Sequence, residues 1–131
     1  MVIDSSALLA ILLREPEAIR LIGAIGADQT RALPAPTLVE VTAVLLTRKW
    51  AEGQAALAEL LEELDIDVVP MSADAAKHAR SAYARFGKGA GSPSVLNFGD
   101  CLAYGVAMEM EEPLLFKGND FSQTDVPAVK Y

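Results

Sequence analysis

Asp4, Glu40, Asp100 and the pair Asn119-Asp120 stand where a polar or acidic side chain is costly. Asp4 ends the apolar opening Met1-Val2-Ile3. Glu40 interrupts Leu38-Val39-Val41-Val44-Leu45, and Asp100 lies within Leu96-Phe98-Cys101-Leu102-Ala103. Asn119 and Asp120 follow the apolar run Leu114-Leu115-Phe116. A carboxylate in apolar surroundings needs a cation or a strong hydrogen-bond network. Several of them brought together would repel and raise one another's pKa unless a counter-ion is present. Mg²⁺ or Mn²⁺ answers that need, because these hard ions prefer carboxylate and water oxygens. With one His and one Cys in the chain, a zinc site is poorly supplied. An Mg²⁺ held by carboxylates and still carrying waters orients a phosphodiester and activates a water, so the implied chemistry is phosphodiester hydrolysis.

Positioning these groups requires a fold, and 131 residues suffice for a single domain spanning 1–131 with one substantial core. At 52% hydrophobic and 22% charged residues, the composition excludes a disordered chain. No apolar run reaches the roughly 20 residues that span a bilayer. The start Met1-Val2-Ile3-Asp4 lacks a basic leader and already reads as a strand, so no signal peptide is expected. The lone Cys101 rules out an internal disulfide and suits a reducing cytoplasm; its apolar neighbours make it a core residue. The net charge of -7 speaks against a general polyanion binder. It does not exclude a nuclease, since bound metal reverses the local field. Residues 77 to 88 contain Lys77, His78, Arg80, Arg85 and Lys88 without an acid. This stretch either steers an RNA backbone or is a solvated helix face.

Short β-like runs alternate with helical patterns, the signature of an α/β fold with a parallel sheet. Val2-Ile3, Ala32-Leu33, Asp67-Pro70 and Leu114-Phe116 read as strands, with Val126 to Val129 as a short edge strand. Helices are expected from Ala7, after Pro16 with an apolar face of Ile19, Ile22 and Ile25, and over Thr37–Trp50 and Glu52–Leu64. Two more follow: one from an N-cap at Ser72 to Phe86, and one over Phe98–Met110. Gly87 to Pro93 reads as a mobile connection and lacks the order of a phosphate loop. In such sheets ligands bind beyond the carboxyl ends of the strands. Asp4 and Asn119-Asp120 follow strands there, and right-handed crossovers start the helices bearing Glu40 and Asp100 at the same edge. Taken singly, an acid early in a helix is merely favourable with the helix dipole; four at one edge are more than that.

The opening Val2-Ile3-Asp4-Ser5-Ser6-Ala7-Leu8-Leu9 resembles the start of PIN-domain ribonucleases of the VapC toxin family. Ala35-Pro36-Thr37-Leu38-Val39-Glu40-Val41 resembles that family's second acidic motif, and Leu96-Asn97-Phe98-Gly99-Asp100-Cys101-Leu102-Ala103-Tyr104 its third. Leu114 to Phe121, with Thr124-Asp125, is similar to the segment around the fourth. The resemblance runs the length of the chain in order. It implies a three-layer α/β/α domain with a mainly parallel sheet of four to five strands. It also implies an Mg²⁺-dependent endoribonuclease acting on RNA, the toxin of a VapBC-type toxin–antitoxin pair, held inactive by a VapB-type antitoxin. Homodimerisation is a further implication. By motif, the catalytic set would be Asp4, Glu40, Asp100 and Asp120. Asp4 and Asp100 would hold the metal directly, with Glu40 acting through metal-bound water. Asn119 stands where many relatives carry an acid, so the fourth place lies between Asn119 and Asp120, either through water. Ser6 would buttress Asp4.

His78 offers a general base but falls mid-helix among cations, where a surface residue is the plainer reading. Trp50 could stack on a base or pack at a helix end. Lys117 could meet a phosphate or neutralise Asp120. A phosphoryl-transfer enzyme with an aspartate nucleophile would want a second Asp at position 6, where Ser6 stands. A receiver-like switch would want an acidic pair after the first strand and a phosphoacceptor after a middle one, where Val69-Pro70 stand. The remaining alternative is a catalytically weak PIN scaffold that binds RNA or a partner, against which the intact Asp4, Glu40 and Asp100 argue.

Overall fold

A computed structural model describes residues 1–91 and 95–131. Its strands are β1 (Val2–Ile3), β2 (Ala32–Pro34), β3 (Asp67–Val69) and β4 (Leu114–Leu115). Its helices are α1 (Ser5–Leu12), α2 (Ala18–Ala27), α3 (Ala35–Thr47), α4 (Gly53–Glu63), α5 (Ala73–Phe86) and α6 (Phe98–Met110). All four strands run parallel in the order β3-β2-β1-β4. The chain moves outward from β1 to β3 and then returns to β1's other side, so a switch point lies between β1 and β4.

Alternate residues of each strand feed opposite faces of the sheet. Ile3, Leu33 and Leu115 point into a core with Leu8 and Ile11 of α1, Leu21 and Ile25 of α2, Val41 and Leu45 of α3 and Leu57 of α4. Val2, Ala32 and Leu114 point the other way, onto Ala75, Ala79 and Ala82 of α5 and Ala103, Tyr104 and Ala107 of α6. These two cores make the expected α/β/α sandwich. α5 and α6 lie close because both present small residues. A Cβ at Gly105 would stand 2.9 Å from the Ala79 methyl.

Several local expectations change. α2 turns Leu21 and Ile25 inward and leaves Ile19 84% exposed, so the Ile19-Ile22-Ile25 face is not its buried one. Pro16 precedes α2, whose N-cap is Glu17. Val126 to Val129 contributes only a parallel bridge, Leu114 with Ala128, rather than a strand. Of the Gly87–Pro93 connection, Ser92 and Pro93 lie outside the described residues. Its start is tied down by hydrogen bonds from the Lys88 N–H to the Leu96 carbonyl (3.1 Å) and the Leu96 N–H to the Phe86 carbonyl (3.0 Å). Trp50 keeps to its packing reading and lies against the first core.

Candidate active site

Asp4 follows β1 directly and is the N-cap of α1. Its Oδ2 accepts from the Ser6 N–H at 2.9 Å and the Ser6 hydroxyl at 2.6 Å. That hydroxyl in turn accepts from the Lys117 N–H at 2.9 Å, tying the start of α1 to the segment after β4. Asp4 is only 1% exposed, and its Oδ1 is buried without a hydrogen-bond partner among the described residues. An orphaned carboxylate oxygen of this kind is costly. Burial raises its pKa, the Ser6 bonds oppose the rise, and the charge of Asp120 adds to it.

Glu40 comes from α3, which starts straight after β2. Desolvation raises its pKa, the Asp4 charge raises it further, and the Ser5 hydroxyl opposes both. Its carboxylate lies against the backbone of Gly99 in the first turn of α6. Asp100 is the third residue of that helix and closes a capping box. Its N–H donates to the Asn97 side-chain oxygen at 2.9 Å, and its Oδ2 accepts from the Asn97 N–H at 2.8 Å. Burial, with Asp100 7% exposed, pushes its pKa up to about 7, with the charges of Asp4, Asp120 and Glu40 adding to the effect against the Asn97 bond. Four segments far apart in sequence thus bring Asp4, Glu40, Asp100 and Asp120 within electrostatic reach at the carboxyl edge of the sheet.

Asp120 and Asn119 both lie exposed in the turns after β4, where the Ser122 N–H bonds the Asn119 carbonyl at 3.0 Å. The Asp120 charge is felt at Asp4 and Asp100. Lys117 does not neutralise Asp120, because its ammonium pairs with Glu15 and lies 3.7 Å from Glu17. His78 is exposed in the middle of α5. Two of the basic residues near it are already paired, Lys77 with Asp74 at 2.6 Å and Arg85 with Asp125 at 2.9 Å. Burial pushes the Cys101 thiol up to about 11, in keeping with a core residue.

Two residues at the site escaped the sequence reading. Thr37, one turn before Glu40, is buried with its hydroxyl unpartnered among the described residues. Gly99 touches Glu40; the only signal it gave was a glycine inside a helix beside an acid.

Among the described residues, no three His, Cys, Asp or Glu side chains already stand together as a cage for an ion. Asp100 is turned toward Asn97, and Asp120 lies at the exposed rim. An all-oxygen donor set with one buried, unpartnered acceptor nonetheless fits a small hard cation. Such an ion keeps several waters and takes only one or two carboxylates from a protein.

The fold and the acidic edge define a class, and residues 1–127 match the PIN domain family. Ribonuclease VapC28 of Mycobacterium tuberculosis is 44% identical over 126 residues, 96% of this chain and 95% of that protein. Ribonuclease VapC30 of Mycobacterium tuberculosis is 42% identical over 129 residues, 98% of each. The solved structure of VapBC2 from Rickettsia felis, bound to a DNA fragment from its promoter, shares the fold. Its TM-score is 0.77 at 14% identity, over 98% of this chain and 96% of that one. The chain belongs to the PIN-domain family, in its VapC ribonuclease branch.

Proposed function

We propose that this protein is a divalent-metal-dependent endoribonuclease, using Mg²⁺ or Mn²⁺, and the toxin of a VapBC-type pair. The observation that carries the reading is the convergence of Asp4, Glu40, Asp100 and Asp120 on one sheet edge, with Asp4 Oδ1 buried and, among the described residues, unpartnered. Membership among the VapC ribonucleases supports the substrate, RNA.

Asp4 Oδ1 and the Asp100 carboxylate would hold the ion, with Glu40 and either Asp120 or Asn119 reaching it through water. When bound, the ion neutralises charge on the phosphodiester and lowers the pKa of an attacking water. Ser6 keeps Asp4 Oδ2 occupied, so Oδ1 is the oxygen left to serve the site. Asn97 fixes Asp100 in the same way, through one oxygen only. Glu40, its pKa raised by burial and by the charge of Asp4, is the carboxylate placed to take a proton from the nucleophile.

Purified protein should cut total RNA with Mg²⁺ and stop with EDTA. Asp4→Asn and Asp100→Asn should each lower the rate at least about a hundredfold while keeping the fold. Unchanged cleavage by both variants would sink the assignment. Binding of RNA without cleavage by the unaltered protein would favour the weak binding module instead.

The same reading takes in a cytoplasmic site of action, a VapB-type antitoxin that covers the acidic crevice, and a homodimer. No helix among the described residues is long and apolar enough to cross a membrane. Val39 and Phe98, 68% and 72% exposed beside Glu40 and Asp100, support an apolar contact with a second chain near the crevice. Sedimentation of the isolated protein tests the dimer, and a monomer at micromolar concentration would count against it.

A further inference from the structure

Gly99 is the second residue of α6, in its first turn. Its backbone does not call for glycine, since the glycines with positive φ are Gly89, Gly91 and Gly118. What marks the position is the close approach of one side chain. A Cβ built at Gly99 would stand 2.7 Å from both Cδ and Oε2 of Glu40, inside any real contact distance. The carboxylate of Glu40, carried by α3, therefore rests directly on the backbone of α6, one residue before Asp100. The start of a helix, with its outward N–H groups, also favours an anion there.

We propose that Gly99 is a positioning residue, its missing side chain forming the slot that holds the Glu40 carboxylate beside Asp100. The inference rests on the ribonuclease reading for its consequence but on packing alone for its geometry. The atoms in the way are the far end of the flexible Glu40 side chain, so a methyl at position 99 pushes that carboxylate aside at little cost to the fold and changes how Glu40 faces Asp100. Misplacement by about 1 Å costs on the order of a hundredfold in rate.

The test is a cycle of variants read by RNA cleavage, by Mn²⁺ affinity in calorimetry and by thermal melting. Gly99→Ala should lower kcat on the order of 10- to 100-fold with little change in KM, and should weaken Mn²⁺ binding. In a Glu40→Ala background, which empties the slot, adding G99A should cost no more than about twofold. Glu40→Asp, one methylene shorter, should recover part of the activity lost in G99A. Wild-type rates and affinity in G99A would overturn the proposal, as would an equal loss with Glu40 present or absent. Should G99A alone fail to fold, recovery of folding in G99A/E40A supports the slot, and continued misfolding overturns it. If the unaltered protein cuts no RNA, the ribonuclease reading fails by itself, while Mn²⁺ affinity and melting across the cycle still decide the slot.

Discussion

The two oxygens of Asp4 are used differently: Oδ2 accepts from the N–H and hydroxyl of Ser6, and Oδ1 stays buried without a partner among the described residues. Substitutions that look equivalent will therefore separate. Asparagine caps a helix as well as aspartate does, so Asp4→Asn should keep α1 capped. Asp4→Ala removes the cap and should cost about 1 kcal/mol, visible as a lower midpoint in denaturant beside D4N. Asp4, Glu40 and Asp100 were legible in the sequence because an acid inside an apolar run announces itself. Gly99 was not, because its contribution is an absence of atoms that only the approach of α3 reveals. The pairing of Lys117 with Glu15 rather than Asp120 was hidden for a related reason: its partners Glu15 and Glu17 lie about a hundred residues away, and local sequence does not foretell such a meeting.

Helix starts and stops were read closely where a single side chain sets them. The N-cap at Ser72, whose hydroxyl accepts from the N–H groups of Asp74 and Ala75 at 3.1 Å, falls where expected, and so does the whole of α6. The face of α2 was missed because Leu21 and the three isoleucines offer overlapping apolar stripes, and contact with α1 and the sheet decides between them. The segment after Asp125 reads as a strand but arrives at β4 with only one bridge to make. α6 ends on Glu111 with φ 54°, a left-handed residue where glycine would carry no steric penalty. Glu111→Gly should therefore raise stability by up to about 1 kcal/mol, measured as a rise of a few degrees in melting temperature.

Across the whole molecule, the acidic edge sets a pH dependence whose sign is fixed. Asp4, Glu40 and Asp100 have raised pKa values, so the folded chain holds more protons than the unfolded one above the ordinary carboxylate range, with Asp100, pushed up to about 7, keeping its proton through that window. Stability falls as pH rises through that window. Asp28 and Asp125, whose pKa values are lowered, act only below it, where their contribution is lost as pH falls. Metal-free protein should melt at a higher temperature at pH 5 than at pH 8. Asp100→Asn should narrow the difference, and Mg²⁺ should restore the midpoint at pH 8; scanning calorimetry at the two pH values checks all three. The α/β class and the parallel sheet were legible in the alternation of patterns, but the strand order was not. β1 pairs with β4 as Val2 with Leu114 and Ile3 with Leu115, so the first strand of the chain waits for the last. During synthesis, which proceeds from the N-terminus at about 5–20 residues per second, β1 lacks one of its two neighbours until Leu115 has emerged. Asp4 then lacks the Lys117 N–H that braces Ser6, and Asp120 does not yet exist. The acidic edge is thus assembled only after the segment that follows β4 has been made.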